Sequence, residues 1–125
     1  MLLDAIREIP VPQFSDRRGE LFALQRLHPL PFTPVRTFII TDVPPGEHRA
    51  RHAVSCDEFL WMISGGCQAL LRIEADVVCA DERRFQLRSR GPGLYVPEGV
   101  WLDLSNFLPG SVLVCLAAGE YNARR

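Results

Sequence analysis

The 125-residue sequence contains no lysine, so all 14 of its basic residues are arginines. A GC-rich genome would produce the same bias, but arginine also suits planar, two-pronged contacts to phosphate and carboxylate groups. The formal net charge is only −1 at pH 7, which argues against nucleic acid or an anionic membrane as the main partner. Any anion that the protein binds must therefore be held by a few local arginines.

Other absences narrow the class of protein further. The four cysteines (Cys56, Cys67, Cys79 and Cys115) form no CxxC pair, which argues against a zinc ribbon or a redox motif. No apolar run approaches the roughly 20 residues of a membrane span, and the segment MLLDAIREIPVP carries charges but no cleavage site, so we expect no signal peptide. We therefore expect a cytoplasmic protein with reduced thiols.

Length and composition together predict one folded domain. A chain of 125 residues can bury one core but not two. The 47% of apolar and 23% of charged residues are typical of a globular protein. Because the sequence shows no internal repeat, linker or low-complexity segment, we assign residues 1–125 to a single domain.

Short β-rich runs recur along the chain, with Gly/Pro turns between them. The predicted strands are 21–27, 36–43, 59–65, 67–73, 83–89, 93–99 and 111–117. No 3.6-residue apolar period is sustained over a dozen residues, so a helix is possible only around 2–9. This rhythm predicts an all-β sandwich or barrel.

In several runs, notably FLWMI and SVLVCL, the residues on both faces of the predicted strand are apolar. Strands buried on both faces in so small a protein need a second surface covered by another layer or another subunit. Of the two, we expect a homodimer.

Residues 46–65 follow the spacing of the first cupin motif. That motif has a glycine, five residues, His-x-His, three or four residues, a glutamate, six residues and a second glycine. The chain keeps Gly46, His52, Glu58 and Gly65, and it places Val54 where the second histidine would stand.

Residues 91–106 follow the spacing of the second cupin motif, again with a histidine missing. Its retained positions are Gly91, Pro97, Gly99 and Asn106, and Leu102 occupies the histidine position. Glycines and a proline at these points indicate the tight turns of a double-stranded β-helix. The sequence therefore predicts an all-β cupin jelly roll.

The two missing histidines argue against a metal. A cupin metal site uses three histidines and a carboxylate, of which this chain keeps His52 and Glu58. Two ligands rarely hold a catalytic divalent ion, and of the other histidines only His48 lies close enough to the motif to substitute. We expect no metal and no cofactor.

A lone histidine in the mouth of a barrel can instead transfer protons. Imidazole accepts and returns a proton within the physiological pH range. The alternative is that His52 is a hydrogen-bonded residue of the barrel wall.

The order of segments resembles one family, the cupin-type 3,4-ketoisomerases of thymidine-diphosphate (TDP)-linked 4-keto-6-deoxyglucose, which are WxcM-like sugar ketoisomerases. The matching segments are DRRGEL (16–21), VRTFIITDV (35–43), GEHRARHA (46–53), SGGCQALL (64–71), GLYVPEGVW (93–101) and LVCLAAGEYN (113–122). They cover nearly the whole chain in order.

The resemblance implies a metal-free isomerase of a nucleotide-linked sugar. It makes His52 the base that removes the proton from C3 of the 4-keto sugar, with reprotonation of the enediol at C4. It also gives Arg18 the task of holding the sugar and its developing charge. The substrate-binding residues that it implies are Arg36, Arg49, Phe38, Tyr95 and Trp101.

Each of these residues has an ordinary structural alternative. Arg18 could be a surface arginine in a turn, Arg36 and Arg49 could lie on solvated faces, and the aromatics could belong to the core. Arg51 directly precedes His52, and in an extended strand neighbouring side chains point to opposite faces, so we expect Arg51 to point away from His52.

The departures from the family pattern lie around the expected site. Val54 removes the second histidine, Arg17 and Phe38 replace tyrosines, and Phe59 replaces a glutamine that often follows the motif glutamate. These changes predict a pocket that is drier than is usual in the family.

Three functions therefore remain open. The first is the 3,4-ketoisomerisation of a nucleotide-linked 4-keto-6-deoxy sugar in deoxysugar biosynthesis. The second is a diverged cupin that binds a nucleotide sugar or a partner without turnover. The third is an epimerase or lyase of the same fold.

Overall fold

The computed structural model describes residues 2–73 and 81–120. Cys79 and the end of the 113–122 segment lie outside the described residues. Residues 2–9, where the sequence allowed a helix, form a short 3-10 helix over Leu2–Ala5 and strand β1 over Arg7–Ile9. No helix in the described part of the chain has the length and hydropathy needed to cross a membrane.

Ten further strands follow β1 among the described residues. They are β2 (Gln13–Asp16), β3 (Gly19–Phe22), β4 (Arg36–Thr41), β5 (Arg49–Ala53), β6 (Glu58–Ser64), β7 (Gly66–Arg72), β8 (Glu82–Arg88), β9 (Gly93–Val96), β10 (Trp101–Ser105) and β11 (Val112–Ala117). The prediction of an all-β protein is confirmed. Each predicted strand overlaps an observed one, whereas β1, β2, β5 and β10 were not predicted.

The strands form two larger sheets and one hairpin. The first sheet has the order β1-β9-β6-β11-β4, the second has the order β5-β10-β7-β8, and β2 pairs with β3 alone. The strand pairings within them are antiparallel. Strands β4 and β5 are therefore edge strands of the two different larger sheets.

The main core lies between the two larger sheets. Leu60 and Leu113 of the first sheet join Leu71 and Leu104 of the second in one buried cluster. Successive side chains of a strand point to opposite faces, so each strand sends every second residue into this core. Two antiparallel sheets closed over one core form the jelly roll that the sequence predicts.

A second buried cluster covers the outer face of the five-stranded sheet. Phe59 and Trp61 of β6 pack there with Leu116 of β11 and with Leu30. Phe32 packs against the same cluster. Residues of the same chain therefore bury part of the second apolar face of the run FLWMI.

Candidate active site

A cavity of about 90 Å³ lies between strands β4, β5, β6 and β10. Its polar lining comes from Arg49, His52 and Glu58, and Phe38 and Leu102 contribute apolar surface. The site therefore brings an imidazole, a carboxylate and a guanidinium together against an apolar wall. These are groups that can move a proton and stabilise negative charge.

A larger groove of about 440 Å³ runs along β4 and the segment that leads into β5. Its lining includes Thr41, Asp42 and His48. Ile40 and Arg49 line both the groove and the cavity. The groove and the cavity are therefore neighbours, and Arg49 lies at the border of both.

His52 lies near the end of β5, directly opposite Leu102 of β10. The register between the strands shifts at Leu102/Asp103, so that Asp103 pairs with Ala50 and Arg51 becomes an extra, bulged residue. Ala50 and Arg51 have φ angles of 66° and 63°. The left-handed conformation costs a non-glycine residue about 1 to 2 kcal/mol, so the backbone before His52 is held in an unfavourable shape.

The bulge divides the side chains of β5 between two faces. Arg49, Ala50 and His52 line the cavity. Arg51 instead places its Nε atom 3.6 Å from Asp103 Oδ1. Arg51 thus lies outside the cavity lining, which agrees with its expected direction.

Glu58 opens β6 and is only 6% exposed. It pairs in register with Val96 of β9 and Ala117 of β11, so the backbone on both sides of it is fixed. Its negative charge also acts on the Cys115 thiol. The site therefore contains a buried acidic side chain on a rigid strand.

The two core thiols are poor candidates for proton transfer. Burial raises the pKa of Cys67 to about 12. Burial, followed by the charge of Glu58, raises the pKa of Cys115 well above its ordinary value, and Cys115 lines the cavity. Both groups are neutral thiols at neutral pH, and a neutral thiol is a poor base.

Arg36 opens β4 next to the cavity wall. Its guanidinium carbon lies 4.9 Å from the ring centroid of Phe38, which lines the cavity. Arg36 also acts electrostatically on Cys115, as does Arg49. Two of the arginines expected to bind substrate are therefore close to one end of the cavity.

Arg18 lies in the turn of the β2–β3 hairpin, away from the residues that line the cavity. Its Nη2 donates to Asp16 Oδ2 at 2.6 Å, and its side chain is 82% exposed. Hydrogen bonds from Arg18 hold the pKa of the Asp16 carboxyl below its usual range. Within the chain Arg18 forms a local ion pair, and its part in binding the sugar stays a prediction.

Tyr95 and Trp101 also lie outside the cavity lining. The Tyr95 hydroxyl donates to Asp57 Oδ2 at 3.0 Å, and the ring packs against the outer apolar cluster. Burial and the bond to Asp57 raise the pKa of this phenol. Trp101 is half-buried, and the guanidinium carbon of Arg72 lies 5.5 Å from its ring centroid. Substrate contacts of these two aromatics stay predictions.

The positions of the two missing histidines have different environments. Val54 is 2% exposed, and its N–H donates to the carbonyl oxygen of Val100 at 2.9 Å. Leu102 lines the cavity opposite His52. Among residues 2–73 and 81–120 no group of three or more His, Cys, Asp or Glu side chains could hold a metal ion.

A partly buried pair of side chains beside the site was not predicted. His48, considered from the sequence as a substitute metal ligand, instead donates from Nδ1 to Asp103 Oδ1 at 2.7 Å. Asp103 is 8% exposed, although it lies between Leu102 and Leu104 in an otherwise apolar strand. An acidic residue within an apolar strand is the one signal that could have suggested a partner for it.

The fold and the site define a cupin-type barrel with a small cavity built around one histidine, one carboxylate and an arginine. The chain belongs to the FdtA family, described as WxcM-like, C-terminal, whose family model matches residues 5–125. This confirms the family resemblance drawn from the sequence.

Individual relatives of the chain are sugar isomerases. A TDP-4-oxo-6-deoxy-alpha-D-glucose-3,4-oxoisomerase from Aneurinibacillus thermoaerophilus is 29% identical over 108 residues, which cover 86% of this chain and 74% of the relative. A 3,4-ketoisomerase from Helicobacter canadensis superposes with a TM-score of 0.86 at 27% identity, covering 96% of this chain and 87% of that one.

A third relative was crystallised with a nucleotide. It is QdtA, a sugar 3,4-ketoisomerase from Thermoanaerobacterium thermosaccharolyticum in complex with TDP. It superposes with a TM-score of 0.84 at 26% identity, over 95% of this chain and 84% of that one.

Proposed function

We propose that this protein is an isomerase of a TDP-linked 4-keto-6-deoxy sugar, which it converts to the 3-keto isomer in deoxysugar biosynthesis. The observation that carries the proposal is the cavity, because it joins His52, Glu58 and Arg49 in a family whose named relatives are 3,4-ketoisomerases. The proposed substrate class follows from the substrate named for one relative and the TDP bound to another.

In the proposed mechanism His52 is the acid and base. It removes the proton from C3 of the 4-keto sugar, which leaves an enediolate with its negative charge on the C4 oxygen. The proton of the C3 hydroxyl passes to that neighbouring oxygen. The imidazolium then returns its proton to C4 as the C3–O bond becomes the new carbonyl. One imidazole can serve both carbons because they are adjacent. Cys115 lines the same cavity but is a neutral thiol, so it is not an alternative base.

The enediol stage needs positive charge and little water. A proton next to a carbonyl is acidified when the developing oxygen anion meets fixed donors in a site that excludes water. Arg49 offers donors at the cavity, and Phe38 and Leu102 give it an apolar wall. The apolar wall makes each remaining charge more effective.

The neighbouring groove supports a place for the nucleotide. A cavity of about 90 Å³ is small beside the roughly 300 to 1,000 Å³ of pockets that enclose larger ligands, whereas the groove adds about 440 Å³. We place the sugar in the cavity and the nucleotide along the groove. Arg49, at the border of both, then contacts the diphosphate.

We also propose that two copies of the chain associate and that the protein acts in the cytoplasm. Exposed apolar side chains on the β2–β3 hairpin, Phe14 at 62% and Leu21 at 58%, support the dimer. On the edge strand β4, Ile39 is 59% exposed. Sedimentation equilibrium at micromolar concentration is expected to give twice the chain mass, and a monomer would contradict the dimer.

A binding role without turnover is the second candidate. Leu102 stands directly opposite His52 where a histidine would otherwise stand, and Val54 replaces another. A single remaining histidine could be too little for proton transfer in both directions. Binding of TDP would then survive without any exchange of sugar protons.

Proton NMR with TDP-4-keto-6-deoxyglucose in heavy water separates the two functions. An isomerase is expected to produce a 3-keto species, with deuterium entering at C3 or C4. Saturable binding without exchange would favour the binding role. Neither binding nor exchange would contradict both.

Replacing Arg49 by alanine is expected to weaken TDP binding. Loss of charged hydrogen bonds to a diphosphate costs about 1 to 3 kcal/mol, which raises Kd roughly 5- to 150-fold. Isothermal titration calorimetry measures the change. Arg88→Ala is the matched control, because Arg88 is exposed on β8 at the far edge of the same sheet. Equal affinities for the two variants would remove Arg49 from the nucleotide site.

A further inference from the structure

We propose that Asp103 is a positioning residue whose carboxylate holds the β5 bulge in the shape that directs His52 into the cavity. The kinetic part of this proposal rests on the proposed function, because it assumes that His52 transfers the proton. Its structural part concerns only the direction of the His52 ring. That part can be measured without any turnover.

The bulge needs an external support. Opposite Leu102 and Asp103 of β10 stand three residues of β5, with Arg51 as the extra one. Ala50 and Arg51 both adopt left-handed backbone conformations, with φ of 66° and 63°. Neither is a glycine, so two successive residues are held in a conformation that each disfavours. Such strain persists only where the surroundings enforce it.

Asp103 contacts Arg51, in the strained pair, and His48, two residues before that pair. Its Oδ1 accepts a hydrogen bond from Nδ1 of His48 at 2.7 Å, and Nε of Arg51 lies 3.6 Å from the same oxygen. An ionised carboxylate only accepts hydrogen bonds, so Nδ1 of His48 must carry the hydrogen. Asp103 is only 8% exposed, but the Arg51 side chain is 57% exposed against 31% for His48, so solvent screens the contact to His48 less than the contact to Arg51.

The segment held in this way carries cavity residues. Arg49 and Ala50 lie between the two residues that Asp103 contacts, and both line the cavity. His52 follows directly. If the bulge relaxed into regular pairing, the register would slip by one residue, and a slip of one residue turns a side chain to the other face of the sheet. Asp103 thus directs His52 from outside the cavity.

The decisive variant is Asp103→Asn, which keeps the size of the side chain and removes its charge. We expect kcat for isomerisation to fall about tenfold or more, since small displacements of a reacting group are costly. We also expect the ¹H–¹³C signals of the His52 ring to shift or broaden. Those signals are assigned by their loss in His52→Asn.

Glu82→Gln is the matched control. Glu82 is a carboxylate in the same sheet that also contacts two basic groups, Arg72 at 3.5 Å and Arg84 at 2.8 Å. It lies on β8, at the edge opposite β5. Loss of this carboxylate is expected to leave both kcat and the His52 ring signals unchanged.

A second substitution tests the role of the bulge directly. Glycine adopts positive φ readily, so Asp103→Asn/Arg51→Gly is expected to recover part of the lost activity and to return the His52 signals toward their wild-type positions. A role of Asp103 in general stability would not predict recovery of kcat measured well below the unfolding temperature.

The outcomes separate this proposal from the proposed function. Wild-type protein without isomerase activity would contradict the function, while displaced His52 signals in Asp103→Asn would still support the positioning. Unmoved His52 signals in Asp103→Asn would overturn the positioning, whatever happens to kcat. If Asp103→Asn fails to fold, His48→Phe is the second test, because it removes the shorter of the two contacts. The proposal requires the His52 signals to shift in this variant as well. Unmoved His52 signals in His48→Phe would also overturn the proposal.

Discussion

The variant His52→Asn is expected to lose isomerase activity by about 10²- to 10⁴-fold, the range that a positioned general acid or base contributes. Asparagine retains hydrogen-bonding groups but cannot accept and return a proton near neutral pH. Cys115, in the same cavity, is a neutral thiol and cannot take over the transfer. The loss should therefore appear in kcat, measured by proton NMR with TDP-4-keto-6-deoxyglucose.

The fold is expected to tolerate this change. The His52 side chain is exposed at the end of an edge strand, and substitutions at exposed positions usually alter stability by no more than about 0.5 kcal/mol. Thermal unfolding followed by circular dichroism should therefore give nearly the wild-type midpoint. His28→Asn is the control for the chemistry, because His28 is exposed in the segment before β4 and does not line the cavity. An active His52→Asn enzyme would remove His52 from the mechanism and would direct attention to Glu58.

The sheet architecture was largely predictable because turns and apolar runs are local signals. Gly65 and Gly99 adopt positive φ, and the spacing of the motifs had marked both as turn residues. The predicted runs around β6, β7 and β11 became strands that carry much of the main core. Strand formation there needs only β-rich composition and burial on at least one face.

Strands β5 and β10 were missed for a physical reason. Four of the five residues of β5 are exposed. Because the strand has no buried face, its sequence, RARHA, does not show the alternation of apolar and polar residues that marks a strand. The bulge at Arg51 then breaks the register with β10. The sequence motif nevertheless identified His52 and Leu102, because the motif reflects chemistry and turn spacing rather than burial.

The parts of the site that depend on distant contacts could not be predicted. His48 and Asp103 are 55 positions apart in the chain, and nothing in their local sequence pairs them. From its short spacing to the motif, His48 was instead a candidate metal ligand. The place of Arg49, which lines both the cavity and the groove, likewise depends on how the fold brings β4 and β5 together.

The missing histidines also have a physical consequence. Leu102 places an aliphatic side chain against the cavity opposite His52. An apolar wall lowers the local dielectric constant, so the charge that develops on a substrate oxygen interacts more strongly with Arg49. The same wall offers no hydrogen bond to a sugar hydroxyl. Substrate binding in this protein should therefore depend more on the diphosphate than on the sugar.

Gly93→Ala is expected to be strongly destabilising. A Cβ atom at position 93 would lie 2.1 Å from Cζ and 2.3 Å from Cε2 of Phe59, well inside contact distance. Phe59 is fully buried in the outer apolar cluster. Strand β9 is hydrogen-bonded on both sides, to β1 and to β6, so its backbone cannot easily move away.

Overpacking of this kind costs about 3 kcal/mol, which corresponds to a fall in Tm of roughly 10 °C for a domain of this size. Gly91→Ala is the matched control, since its added methyl would lie no closer than 3.2 Å to any atom, the nearest being the carbonyl oxygen of Arg88. Differential scanning calorimetry measures both variants. The double variant Gly93→Ala/Phe59→Leu should lose less stability than the sum of its two single changes, because the shorter side chain removes the clash. Additive losses would show that Gly93 is required for a reason other than its contact with Phe59.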